Sequence, residues 1–194
     1  MTQILDIDIS DEAQQAEYLG NLLYEIYLPR KVVDVGCNSG LYLSPFLSRG
    51  CEVMGYDNNP KSCVVPVRKQ DITEPFVNRA DLAICLEVLE HIPAEQSLLA
   101  LDNLLNLSDK IVFSAAQPGS GGVGHINCMP KEFWRGQIES RGFEYCKGET
   151  DFIVEKMVHP STMGWLLNNI MVFRKRIKYP YHILGHGFKG QDSI

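Results

Sequence analysis

Between residues 34 and 125 the sequence spaces out acids, glycines and histidines that can do chemistry. Asp34-Val35-Gly36-Cys37-Asn38-Ser39-Gly40 follows a short apolar run. Gly36 suits a tight turn out of a strand, and Gly40 suits close approach at a helix start. The stretch is not a phosphate grip, because G-x-x-x-x-G-K-[ST] is absent. Asn38 stands where a dinucleotide-binding turn has the glycine that admits a pyrophosphate. A nucleoside ligand without phosphates therefore fits better.

Asp57 comes about 20 residues later, at the end of Tyr56-Asp57, a spacing suited to ribose hydroxyls. Capping of a following helix is its structural alternative. Asp71, in Gln70-Asp71-Ile72, can accept from an adenine amino group, with the Ile72 backbone N–H beside it. An Asx turn explains Asp71 equally well. His91 follows Glu87-Val88-Leu89-Glu90, and His125 lies in a glycine-rich stretch. A histidine suits proton removal near neutral pH. For His91 a structural role that orients its loop is favoured. For His125 the glycine-dense setting favours a closing lid and acceptor contact. Glu87, Glu90, His91 and His125 also form a candidate metal set. Without a dense carboxylate cluster, a metal-free reaction is expected.

The elements that must position these residues read as alternating strand and helix. Short apolar runs at 31–35, 51–57, 64–72, 81–87, 110–116, 143–148 and 168–176 predict seven strands. Pro66 marks the third as an edge or bulged strand. Helical spacing covers 10–27 with Ser10 as N-cap, 41–50, 59–63, 93–107 behind Pro93, and 129–142. Residues 117–130 hold four glycines and two prolines and read as a loop. Alternation predicts an α/β, doubly wound sheet, mostly parallel, with antiparallel pairing near the C-terminus.

The first turn, YDNNP, QDI and DLAICLEVLEHIP together resemble the class I S-adenosylmethionine-dependent methyltransferases over about residues 31–176. The fourth segment is similar to the small-molecule branch that includes ubiquinone-biosynthesis-type O-methyltransferases. Asn38 departs from the glycine usual there. The resemblance implies a Rossmann-like seven-stranded sheet with one antiparallel strand. It implies that Asp34 and the backbone of Gly36 and Cys37 hold the methionine ammonium. Asp57 would bind the ribose, and Asp71 and Ile72 the adenine. Leu86, Glu87 and Val88 would line the site, with Asn38, Gly40 and Asn58 bordering the same turns. The implied reaction is methyl transfer from S-adenosylmethionine, with S-adenosylhomocysteine as product, to an oxygen of a small metabolite or sugar, with His125 or His91 as base.

Organisation follows as an N-terminal helical cap (1–30), the methyltransferase domain (31–176) and a tail (177–194). Residues 1–150 carry 12 basic and 21 acidic residues, a net −9, and residues 151–194 carry 6 and 3, a net +3. The acidic body disfavours nucleic acid. The basic stretch 174–178, with aromatics at 173, 179 and 181, leaves an RNA- or DNA-modifying enzyme as the alternative, beside a non-catalytic cofactor-binding protein. Trp165 with Met157 and Met163 could wall an acceptor or simply cover the sheet. No membrane span or secretory leader is expected, and six cysteines without metal spacing predict free thiols in the cytoplasm.

Overall fold

Strands with two buried faces need helices on both sides, and this sequence supplies them. The structure is a computed structural model and describes residues 12–158 and 164–177. The elements run α1 (Glu12–Tyr27), β1 (Lys31–Val35), a 3₁₀ turn (Leu41–Leu43), α2 (Ser44–Ser48), β2 (Glu52–Asp57) and β3 (Val67–Lys69). Then follow β4 (Leu82–Leu86), a second 3₁₀ turn (Leu89–His91), α3 (Ala94–Leu105), β5 (Lys110–Ser114) and α4 (Lys131–Ser140). The chain closes with β6 (Phe143–Tyr145), α5 (Lys147–Met157), α6 (Gly164–Asn169) and β7 (Met171–Lys175).

The seven strands form one sheet in the order β3-β2-β1-β4-β5-β7-β6. The first five pair in parallel, and β7 runs antiparallel to both β5 and β6. Successive side chains point to opposite faces. Val33, Ala83, Ile111 and Phe173 therefore pack with Leu101 and Leu104 of α3 and Trp134 of α4. Their neighbours Val32, Ile84, Val112 and Val172 pack with Leu19 and Leu23 of α1, Phe46 of α2, Ile153 of α5 and Leu166 of α6. The strand order reverses between β1 and β4, which opens a crevice beyond their carboxyl ends.

Several local expectations change. Helix 10–27 begins at Glu12 among the described residues, and Ser10 lies outside them. The pattern at 41–50 resolves into a 3₁₀ turn and a five-residue helix, with Pro45 in the first turn, where its missing N–H costs nothing. No helix covers 59–63, where Pro60 and the positive φ of Ser62 (47°) keep the chain irregular. The strand expected at 143–148 stops at Tyr145, and α5 begins at Lys147. Thr150, Ile153 and Met157 are the buried, helix-spaced positions that signal α5. Of the tail, only Ile177 lies among the described residues.

Candidate functional site

The turn after β1 folds back on β2, because Gly36 N–H and Cys37 N–H both donate to the Tyr56 carbonyl (2.7 and 3.2 Å). Gly36 has φ 75°, and a Cβ there would stand 2.3 Å from Val88 Cγ2. Only glycine fits that approach. Asn38 is also left-handed (φ 49°), a conformation asparagine tolerates better than most residues. Its N–H donates to Asp57 Oδ2 (2.8 Å), while Asp57 Oδ1 accepts from Asn59 N–H (2.7 Å). Asp57 therefore closes an Asx-type turn and does not cap a helix. Gly40 (φ 82°) starts the 3₁₀ turn, and its bare face meets Val65.

Two cavities lie along this edge. One, about 340 Å³, is lined by Asp34, Cys37, Asn38, Leu86 and His125, among others. The second, about 370 Å³, is lined by Asp57, Asn58, Asp71, Ile72, Val88 and His91 among its wall residues. Gly36 and Glu87 border both. Asp34 is 2% exposed, and burial, with the charge of Asp57, pushes its carboxyl well above the usual range. A cationic group in the first cavity would hold it ionised. Asp71 Oδ1 accepts from Thr73 N–H and Oγ–H (both 2.8 Å), so the Asx turn is present at the cavity edge. Ile72, Val88 and Ile92 give the second cavity apolar walls with carboxylates at its rim, a setting for a nucleoside. An ammonium-bearing half in one cavity and a nucleoside half in the other matches the residues present, so the chain fits S-adenosylmethionine.

Glu87 ends β4 in a left-handed conformation (φ 55°). Its N–H is shared by the carbonyl and hydroxyl of Ser114 (both 3.1 Å). Its carboxyl is pushed up to about 7, first by burial and also by Glu90, against the Ser114 and Asn169 contacts that favour the anion. Glu90 is fully buried, and burial raises its carboxyl too. Neither Glu90 oxygen accepts a hydrogen bond of normal geometry, although its own N–H and that of Ala116 lie near enough to ease its burial.

Ile126 N–H and Asn127 N–H donate to the Glu90 carbonyl (both 2.9 Å), which fastens the glycine-rich loop over this turn. His125 Nε2 lies 4.0 Å from Glu90 Oε1, and its buried Nδ1 has no hydrogen-bond partner. Gly122 must lack a side chain, since a Cβ would meet the His125 ring at 2.2 Å. His91 Nδ1 lies 3.1 Å from the Gly124 carbonyl. A carbonyl only accepts, so His91 donates there and keeps its Nε2 lone pair free. The two rings meet edge to face at 4.9 Å. Ligand atoms of Glu90, His91 and His125 all lie within 4.8 Å of one another, so these three could hold a metal ion.

The structure thus brings Asp34, Gly36, Cys37, Asn38, Leu86, Glu87 and His125 to the first cavity. It brings Asp57, Asn58, Asp71, Ile72, Val88 and His91 to the second. Gly40 alone among the predicted residues lines neither. Trp165 lines the first cavity, whereas Met157 is buried in the core and Met163 lies outside the described residues. Sequence reasoning missed Glu12, Tyr42 and Ser120, which also line the first cavity. The clustering of glycines beside Ser120 was the one available signal. At the far end, Phe173 is fully buried, Arg174 pairs with Glu149, and Lys175 lies 3.7 Å from Asp109. The start of the basic stretch is therefore neutralised within the fold, and Tyr179 and Tyr181 lie outside the described residues.

No helix among the described residues is long and apolar enough to cross a membrane. In comparisons with known proteins, a ubiquinone biosynthesis O-methyltransferase from Pseudomonas syringae pv. tomato is 26% identical over 156 residues, 70% of this chain and 61% of that protein. Its Pseudomonas fluorescens counterpart is 27% identical over 187 residues, 85% of this chain and 74% of that protein. The match thus spans about three fifths of the first relative's length. Among solved structures, magnesium protoporphyrin IX methyltransferase from Synechocystis with bound S-adenosylmethionine superposes with a TM-score of 0.57 at 19% identity, over 89% of this chain and 83% of that one. An amino pentose methyltransferase from Micromonospora echinaspora gives 0.63 at 12% identity, over 84% and 91%. Both share the fold. A family profile described as a methyltransferase domain matches residues 11–114, more than half of the sequence. The chain belongs to that family, the class I S-adenosylmethionine-dependent methyltransferases.

Proposed function

We propose that this chain methylates an oxygen of a small polar acceptor, a metabolite or a sugar. The observation that carries this reading is the placement of His125 in the same cavity as Asp34, beneath a glycine-rich loop. When bound, S-adenosylmethionine supplies a methyl group already activated by its sulfonium. Asp34 holds the ammonium, Asp57 the ribose hydroxyls, and Asp71 with Ile72 the adenine. His125 takes the proton of the acceptor hydroxyl as the methyl arrives. The loop excludes water and orients the acceptor for in-line attack.

The first cavity has Glu12, Asp34 and Glu87 in its wall and, among the described residues, no lysine or arginine in its lining. A neutral or cationic acceptor suits it better than a phosphorylated one. The O-methyltransferase relatives and the sugar-methylating structural neighbours support an acceptor of this size. The pairing of Arg174 and Lys175 with acids weighs against an RNA or DNA acceptor. Of the 1–30 cap, the described helix α1 packs Leu19 and Leu23 against Phe46 of α2 and brings Glu12 to the cavity wall. Six free cysteines fit a reducing, cytoplasmic setting.

The test is turnover of His125→Ala with an acceptor found by screening methyl transfer. We expect kcat to fall by about 10²- to 10⁴-fold, as for a lost general base, with affinity for S-adenosylhomocysteine nearly unchanged. Equal loss of both removes His125 from that role.

The fully buried Glu90 carboxylate, with no hydrogen bond of normal geometry, favours a second reading, in which Glu90, His91 and His125 hold a divalent cation. A buried carboxylate with only poorly aligned donors is costly unless a cation joins it. Such an ion would lower the pKa of an acceptor hydroxyl. Chelator-treated protein should then gain a few degrees of Tm on adding manganese or zinc, and Glu90→Gln should lose that gain. No shift with either ion sinks the metal reading and leaves the metal-free one.

A further inference from the structure

Glu87 is held by a residue that lies 82 positions away in sequence. Asn169, at the end of α6 and 3% exposed, donates from Nδ2 to both Glu87 carboxylate oxygens (3.1 and 3.3 Å). Its Oδ1 accepts from Gln117 Nε2 (2.9 Å), at the first residue of the glycine-rich loop. A carboxylate only accepts, so the amide nitrogen of Asn169 faces Glu87 and its oxygen is left for Gln117. The backbone of Glu87 is pinned from behind by Ser114, so both its main chain and its side chain are fixed.

Among the described residues only Gly36 and Glu87 border both cavities, and Gly36 has no side chain. The sulfur of S-adenosylmethionine joins its amino-acid half to its nucleoside half. A ligand with one half in each cavity carries its sulfur through the junction, where Glu87 supplies the carboxyl group. We propose that Asn169 is a positioning residue that holds the Glu87 carboxylate toward the cofactor's sulfur, so that the site favours the cationic donor over its neutral product. This rests on the reading that the cofactor spans both cavities. Methyl transfer removes the sulfur's positive charge, and with it the attraction that Glu87 supplies. The same contact that retains the donor thereby favours release of the product.

The test is separate calorimetric titration of S-adenosylmethionine and S-adenosylhomocysteine into wild type, Asn169→Leu and Glu87→Gln, which needs no acceptor. Wild type should bind the donor more tightly than the product. In Asn169→Leu that preference should fall about fivefold, the worth of a modest charge interaction, while product affinity changes by less than about twofold. Glu87→Gln should abolish the preference. Equal weakening of both ligands by Asn169→Leu would mean that Asn169 only packs, and overturns the proposal.

If Asn169→Leu does not fold, the exchange Asn169→Asp with Glu87→Gln keeps a hydrogen bond between the two side chains and moves the charge away from the junction. The proposal then requires product binding near wild type with the donor preference lost; a retained preference overturns it. If neither ligand binds wild type, the cofactor reading fails as well. If the product binds and the ratio is insensitive to both positions, only the role of Asn169 and Glu87 fails.

Discussion

A carboxyl group buried to 2% exposure beside a second acid is costly to ionise, and Asp34 carries that cost in the ligand-free protein. Its folded pKa lies above its unfolded value. The penalty is absent below the unfolded pKa and grows as pH rises through the folded one. Asp34→Asn should therefore raise the Tm of the ligand-free protein at neutral pH, with a gain that shrinks as pH falls. The same change removes a charged partner for the ligand's ammonium. We expect S-adenosylhomocysteine to bind about 10- to 100-fold more weakly, in line with the loss of a charge-assisted hydrogen bond. Wild-type affinity should also fall as pH falls, because the ammonium needs the ionised carboxylate. Thermal denaturation and calorimetry across pH check both halves. A mutant that loses stability and affinity together would mean that Asp34 is a structural acid.

The turn between β1 and α2 depends on contacts that reach across elements. Gly36 faces Val88, which follows β4, so this turn and the end of β4 must be placed together. Gly36→Ala should cost about 1–3 kcal/mol of stability from its positive φ and the clash, and should abolish cofactor binding. Adding Val88→Ala should return part of the stability, since it removes the clash and leaves the φ strain. Full additivity of the two changes in denaturant unfolding would contradict the contact.

How far the sequence could be read follows from the same distinction. The cores of β1, β2, β4 and β5 were legible because strands buried on both faces are short apolar runs bounded by turns. Asp34, Asp57 and Asp71 were legible because they sit at or just past the ends of β1, β2 and β3. The stretch forming α5, KGETDFIVEKM, hides its buried face among charges and a glycine, so its start reads as strand. Glu12 and Tyr42 reach the first cavity only through the packing of two separate helical segments, which no local pattern reports. Asn169 was unreadable for the same reason, as its partners lie at 87 and 117.

At the scale of the whole molecule, the sheet's order matters more than any one residue. Reversal of the strand order between β1 and β4 brings five acids, Glu12, Asp34, Asp57, Asp71 and Glu87, with two histidines and a glycine-rich loop to one edge. Net negative charge and the internal pairing of Arg174 and Lys175 leave a surface suited to small acceptors more than to a polyanion. The central claim is that this edge takes S-adenosylmethionine with its ribose at Asp57. Calorimetric titration with S-adenosylhomocysteine tests it most directly, with NAD as control, on wild type and Asp57→Ala. The account predicts saturable binding of S-adenosylhomocysteine alone, lost in the mutant. Binding of NAD, or binding of S-adenosylhomocysteine that survives Asp57→Ala unchanged, would contradict it.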